Sequence, residues 1–330
     1  MPMQPRRWTP PHATARARDT RSTPEMPASR LLELPGRGPE DVVIGADGRL
    51  RTGIDDGAIL AVDPRTGVVE QIAHTGGRPL GLHAESDGSL LICDAKRGLL
   101  RLDKPGGEIE VLVSHINGEP LVFTSNVVAD ATGTIYFSES SRRWPLAEWK
   151  GDILEHSGTG RLLRRNPDGS IEILLDGLDF ANGVVLAPDS SCVLVAETGA
   201  YRVTRYWLTG PRAGTHDRLV ENLPGFPDNM LLGSDGLVWV SLASSRNPLL
   251  DTLLPLPGIL RKIIWAIPEA LQPKPARTVW AMAFDFAGTL VHDLQREGTD
   301  YAMVTAVAEV DGTLYLGSLS ESAIAVTRIP

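Results

Sequence analysis

Apolar and polar positions alternate in short runs along most of this chain, and a tight turn precedes many of those runs. Leu-Val-Trp-Val follows Asp235-Gly236, Thr-Leu-Tyr-Leu follows Asp311-Gly312, and Ser-Leu-Leu-Ile-Cys follows Asp87-Gly88. A period of two over so few residues predicts half-buried strands rather than helices. Asp-Gly between apolar runs predicts a hairpin, because the turn needs positive φ, which glycine adopts without steric cost. The unit recurs as "ADGRLRTG" at Asp47 and, in variant form, as "ATGTIYFS" at Thr132 and "PDSSCVLVAE" at Asp189. Six anchors therefore stand at 47, 87, 132, 189, 235 and 311, spaced by 40, 45, 57, 46 and 76 residues. Second-half strands are visible in "GAILAVD" from Gly57, "RGLLRLD" from Arg97 and "YRVTRYWL" from Tyr201. Four-stranded units of this length are the blades of a propeller, and six of them close a ring. The predicted fold class is all-β, a six-bladed β-propeller spanning residues 31–330 as a single domain. A β-sandwich would not keep one spaced motif along the whole chain. The run "ASRLLELPG" before the first anchor is expected to lend a strand to the last blade, so that both chain ends share one sheet.

The two wide spacings locate insertions at about 140–160 and 245–277. In the second, Leu256, Leu260, Ile263, Ile264, Ile267 and Leu271 approximate helical spacing, which predicts a helix packed on the propeller face. A lid, or a cap in peripheral contact with a membrane, is the alternative for that segment. The first 25 residues differ from the rest, with five Arg against two acids and almost no aliphatic side chains. Residues 1–30 are expected to form a disordered N-terminal extension. No apolar stretch follows those arginines, and Arg261, Lys262 and prolines break the most apolar long run. Neither a secretory signal nor a transmembrane segment is predicted, and a cytoplasmic location is expected. A net charge of −9 argues against nucleic acid as a partner and leaves a small molecule. Cys93 and Cys192 sit in apolar, strand-like runs and are expected to be buried free thiols.

Seven residues before each anchor stand Glu40, Leu80, Ser125, Asn182, Asp228 and Val304, followed by Asp41, Gly81, Asn126, Gly183, Asn229 and Thr305. In a propeller the start of each innermost strand faces the central channel, so equivalent positions form a ring around one axis. Carboxylates and amides converging there are hard oxygen donors, which suit calcium, with other divalent cations as alternatives. Zinc or copper would call for His and Cys. A cation also offsets the cost of placing acids at an apolar axis. The structural alternative is that these residues tie the blade starts together through hydrogen bonds.

Around these residues the chain resembles a superfamily of six-bladed calcium propellers that includes gluconolactonase, regucalcin, paraoxonase and the strictosidine synthase-like proteins. It is most similar to the strictosidine synthase-like branch that holds the adipocyte plasma membrane-associated protein. The resemblance runs from about Leu34 to Ile329 and rests on "GPEDVV", "GRPLGL", "IYFSESS", "GRLLRRNPDG", "GLDFANGVVLAPD", "VAETGAYRVTRYWL", "ENLPGFPDN" and "DGTLYLGSL". It implies a calcium ion in the central channel, held by Glu40 of "PED", Asn182 of "ANG" and Asp228 of "PDN", with Asn229 beside it. Family members often carry Asn-Asp where this chain has Ser125-Asn126. A strict register puts Ser125 at the ligand position, and a one-residue shift brings Asn126 there. The expected metal set is Glu40, Asn126, Asn182 and Asp228, with Ser125 and Asn229 as further candidates. Thr305 stands where strictosidine synthase carries a catalytic Glu, which disfavours a condensing or lyase reaction. Leu80-Gly81 stands where paraoxonase carries His-Gly, and His83, two residues on, reads as structural.

The function these readings favour is calcium-dependent hydrolysis of a lactone or ester. The metal would polarise the carbonyl, and Asp228 would take a proton from the attacking water. The rival from another class is a non-catalytic, calcium-stabilised scaffold, since propellers host many functions. Arg142, Arg143, Trp144, Glu155 and His156 of the first insertion, with His292-Asp293, are expected either near the channel mouth or as ordinary loop residues.

Overall fold

The computed structural model describes residues 2–268, 271–272 and 274–330; the predicted 245–277 insertion includes residues 269, 270 and 273, which lie outside the described residues. Six four-stranded antiparallel sheets follow one another around a common axis. Blade one comprises Val42–Ile44, Leu50–Gly53, Ala58–Val62 and Val69–His74; blade two starts at Pro79–Ala84, blade three at Thr124–Ala129, blade four at Ala181–Leu186 and blade five at Gly225–Leu232. Blade six joins Val304–Val310, Thr313–Ser318 and Ala323–Arg328 to the early strand Arg30–Glu33, whose Leu32 pairs with Ile324. The ring is thus closed by strands from both ends of the chain, as the sequence predicts.

All six anchors fall in the hairpin joining the first two strands of a blade. Gly48, Gly88, Gly133, Gly236 and Gly312 have positive φ there, and in the fourth blade Ser190 takes the same conformation at φ 54°. At Asp47, Asp87, Asp189 and Asp235 the anchor carboxylate tightens the turn by accepting from the backbone two residues on, as Asp235 Oδ1 does from Leu237 N at 2.9 Å.

The core is divided among the junctions between blades. Along the second strand of blade five, Val238 and Val240 pack toward blade four with Leu194, Tyr201 and Trp280, while Trp239 points the other way, toward Val304 and Leu316 of blade six. Strict alternation therefore supplies two interfaces from one strand, which is why the inner strands are buried on both faces. Cys93 and Cys192 are buried free thiols in this core.

Between the second and third strands of blade three lies helix α1 (Trp149–Glu155); the same connection in blade five carries α2 (Pro248–Leu253) and α3 (Gly258–Ala266). Asn247 caps α2, its side chain accepting from Leu249 N and Leu250 N. Ile153 of α1 and Leu250 and Leu254 from the α2 region join Leu80, Phe123 and Phe180 in one apolar cluster. The insertions therefore form a roof over the axial face. No helix among the described residues is long and apolar enough to cross a membrane.

The leader departs from the expected disorder. Arg6 N donates to Glu155 O at 2.9 Å, Trp8 stacks on His156 with centroids 4.3 Å apart, and Arg246 holds Pro11 O at 2.8 Å. Farther on, Arg16 grips the Asp293 carboxylate with two bonds of 2.6 and 2.7 Å, and Met26 is buried between blades five and six. Its composition lacks aliphatic residues, but its arginines find carboxylates and carbonyls already fixed on the propeller, and Trp8 and Met26 supply apolar anchors.

Candidate functional site

Pairing within the first strand breaks register where the axial residues stand. The shift falls between Pro79 and Leu82, Thr124 and Val127, Ala181 and Val184, Pro227 and Met230, and Val304 and Ala306. In blade one, Glu40 and Asp41 lie just ahead of the strand that starts at Val42. A bulge leaves consecutive residues unpaired and re-aims their side chains. In blades one, three and five both members of the pair therefore reach the axis, in two layers, whereas in blade six Val304 packs in the core and Thr305 lines the cavity.

In the first layer Glu40, Ser125, Asn182 and Asp228 come from four different blades and line a cavity of about 340 Å³, together with Thr198 and Thr305. Ser125 Oγ donates to Asn182 Oδ1 at 2.9 Å, and Asn182 Nδ2 donates to Asp228 Oδ1 at 2.5 Å and to Thr198 Oγ1 at 3.2 Å. Glu40 Oε2 is buried without a hydrogen-bond partner. Burial, then repulsion from Asp228 and Asp41, holds the Glu40 carboxyl well above the usual carboxylate range; the Arg78 guanidinium offsets only part of this. Burial also pushes Asp228 up to about 7, against the stabilising bond from Asn182 and with repulsion from Asp41.

The second layer is a closed belt. Asp41 accepts from Val42 N at 2.9 Å, from Leu82 N at 2.8 Å and from Asn126 Nδ2 at 3.3 Å. Asn126 Nδ2 also donates to Asn229 Oδ1 at 3.1 Å, while Asn126 Oδ1 accepts from Val184 N at 3.0 Å. Asn229 Nδ2 donates to Glu40 O at 3.3 Å, and Thr305 Oγ1 donates to the same carbonyl at 2.7 Å. These bonds tie the starts of the blades to one another. The belt leaves no room for side chains at its two glycines: a Cβ on Gly81 would stand 2.4 Å from Asn126 Cα, and one on Gly183 would stand 2.4 Å from Met230 N.

The structure separates the expected ligands between the two layers. Asn126, expected as a ligand, is not on the cavity wall; its side-chain oxygen accepts from Val184 N behind it. Ser125 occupies the cavity position, as the strict register has it, and Asn229 likewise belongs to the belt. Asp41 is a belt carboxylate, raised to about 6 by burial despite its backbone donors.

Among the described residues no three His, Cys, Asp or Glu side chains gather to hold a metal. The axial set instead mixes two carboxylates with an amide and a hydroxyl, all oxygen donors. This chemistry fits a hard divalent cation. Such an ion would satisfy Glu40 Oε2 and offset the repulsion between Glu40 and Asp228.

Above this polar floor the walls are apolar. Phe123 and Phe180 meet edge to face at 5.5 Å, and Phe226, Leu80, Ile153, Leu154 and Leu250 complete the lining. Lys150, Arg246, Asn247, Gln272 and Lys274 supply the polar and charged groups away from the floor. Arg246 is spoken for, paired with Asp251 at 2.9 Å and donating to Asn222 Oδ1 at 2.7 Å.

None of the residues expected near the mouth lines the cavity. Arg143 pairs with buried Glu155 at 2.7 Å, Trp144 is buried against Trp265, and His156 Nε2 lies 3.3 Å from Asp179 Oδ2. His292 stacks on Trp239, and Asp293 holds Arg16. His83 is also off the wall, with burial keeping it below the usual imidazole range. Sequence reading missed Thr198 and the three phenylalanines. The signal for Phe123, Phe180 and Phe226 was present: each precedes an axial pair by two residues.

Comparison with known proteins follows the same lines. Residues 125–211 match the strictosidine synthase family, and residues 26–62 match the N-terminal segment of strictosidine synthase-like proteins. A Xanthomonas campestris gluconolactonase superposes with a TM-score of 0.66 at 18% identity, covering 100% of this chain and 98% of its own. The calcium-binding protein regucalcin from Agrobacterium tumefaciens superposes with a TM-score of 0.65 at 12% identity, covering 92% of this chain and 94% of its own. At those identities the likeness concerns the fold alone. The adipocyte plasma membrane-associated protein of Bos taurus is 34% identical over 316 residues, which is 88% of this chain and 76% of that protein. On that similarity, the chain belongs to the strictosidine synthase-like family.

Proposed function

We propose that this protein is a calcium-dependent hydrolase of lactones or esters, working in the axial cavity. The observation that carries the reading is the convergence of Glu40, Ser125, Asn182 and Asp228 on one cavity floor, with Glu40 Oε2 left without a protein partner. Glu40, Asn182 and Asp228 would hold the ion, and Ser125 would complete or orient the set. When bound, the cation supplies positive charge for a polarised carbonyl oxygen. The calcium-binding and gluconolactonase descriptions of the two structural neighbours agree with this choice.

The chain's own residues do the rest. Asp228 Oδ1 is fixed by Asn182 Nδ2, so the other carboxylate oxygen takes the proton from an attacking water. The Ser125–Asn182–Thr198 bonds fix the amide that orients Asp228. Phe123, Phe180 and Phe226 pack the acyl or alcohol portion and exclude bulk water. A condensation that relies on an acid in the sixth blade has no support here, because the Thr305 hydroxyl is committed to Glu40 O.

The test is to assay a panel of lactones and esters with and without EDTA, beside Asp228→Ala and Asn182→Ala. Chelator-sensitive turnover lost in both variants, with the fold retained, supports the proposal. Bound calcium without turnover on any substrate would move the reading to a calcium-stabilised scaffold.

A further inference from the structure

Six of the eleven large apolar side chains exposed among the described residues fall between Leu249 and Leu271. Scattered exposed apolar residues are normal in soluble proteins; a cluster is not. Ile259, Leu260 and Ile263 follow the i, i+1, i+4 spacing of one face of α3, with exposed Leu256 just ahead of the helix, and Ile259 is 61% and Ile263 55% exposed. The opposite face of α3 is already used. Arg261 is fully buried, donating to Leu154 O at 3.0 Å and to Arg6 O at 2.7 Å, and Trp265 meets Trp144 at 5.2 Å. Within the described chain the outer face has no partner.

The segment that carries that face holds no acid of its own. No acid occurs between Asp251 and Glu269, whereas Lys262 is exposed on the helix itself. Arg6 and Arg7 are exposed at its start, where Pro5 Cβ lies 2.9 Å from the position a Gly258 Cβ would take. Glu148 lines a separate pocket with Trp265 and Ile267. In a chain of net charge −9 this is a local basic exception. Two copies meeting through the face would oppose like charges, while an anionic bilayer offers both an apolar interior and negative headgroups.

We infer that the outer face of α3, flanked by Lys262, Arg6 and Arg7, docks on an anionic lipid surface. Ile264 of the same helix lines the cavity from within, so docking sets the cavity roof against the bilayer. The site requires neither the bound cation nor turnover.

Flotation of the full chain with vesicles tests it, using phosphatidylcholine alone or mixed with phosphatidylserine. The wild type is expected to float with the anionic vesicles and to be released by salt. Ile259→Ser with Ile263→Ser is expected to lower the partition coefficient about tenfold or more. Arg7→Glu with Lys262→Glu should lower it by a similar factor, with unchanged melting in both pairs. The inference is overturned if the wild type floats with neither vesicle type, or if the serine pair floats as well as the wild type. It is equally overturned if light scattering finds a dimer that the serine pair dissociates, since a second copy then covers the face.

Discussion

Ser125 and Asn126 are neighbours in sequence, yet the first faces the cavity and the second is sealed behind it. The same division separates Glu40 from Asp41 and Asp228 from Asn229. In the belt every polar group named has partners from other blades, with Asp41 accepting three bonds and Asn126 making three. In the cavity layer Glu40 Oε2 has none, and two buried carboxylates repel each other. A satisfied network adds stability and fixes geometry, whereas an unsatisfied one costs stability and is retained for what it binds. The comparison assigns adjacent residues opposite jobs, and substitutions in the two layers should separate stability from activity.

The largest separation is expected at Asp228. Asp228→Asn should lower kcat about a hundredfold or more, as loss of a proton acceptor does. Metal-free melting should hold or rise, because one of two repelling carboxylates is gone; kinetics beside calorimetry reads both. In the belt the pattern reverses. Asn126→Ala leaves Val184 N and Asp41 short of partners and should cost about 3 kcal/mol by urea unfolding. The fraction that remains folded should keep its cation affinity, since Asn126 is not a cavity group.

The carboxylates also give the comparison a pH dependence. Asp228, and Glu40 with it, holds its proton more tightly folded than unfolded. That contribution is fully present below the unfolded value near 4 and is lost as pH rises through about 7. Metal-free protein should lose on the order of a few kcal/mol across that window. Saturating calcium should flatten the slope; thermal melts at stepped pH check this. The smallest effect is expected at Ser125. Ser125→Ala removes only the bond to Asn182 Oδ1 and should weaken cation binding about threefold to tenfold, with little change in melting.

The blade count, the hairpin at every anchor and the ring closure by Arg30–Glu33 were legible because each rests on local chemistry: a positive-φ turn and a two-residue period. The register of the axial pairs was legible for the same reason. That the first member of the pair faces the cavity follows from strict register in blades one to five; blade six departs, with Val304 in the core and Thr305 on the cavity wall. The leader was misread because its order comes from carboxylates and carbonyls more than a hundred residues away, such as Asp293 and Glu155. Thr198 was missed because it follows the second strand of its blade and enters the cavity only through the ring geometry.

The most direct test of the two-layer account is calorimetric titration of calcium into chelator-stripped protein, run in parallel on wild type, Asp228→Asn and Asn126→Ala. The account predicts one binding event per chain, weakened at least about tenfold by Asp228→Asn and unchanged in folded Asn126→Ala. Absence of binding in the wild type, or a loss in Asn126→Ala as large as in Asp228→Asn, would contradict it.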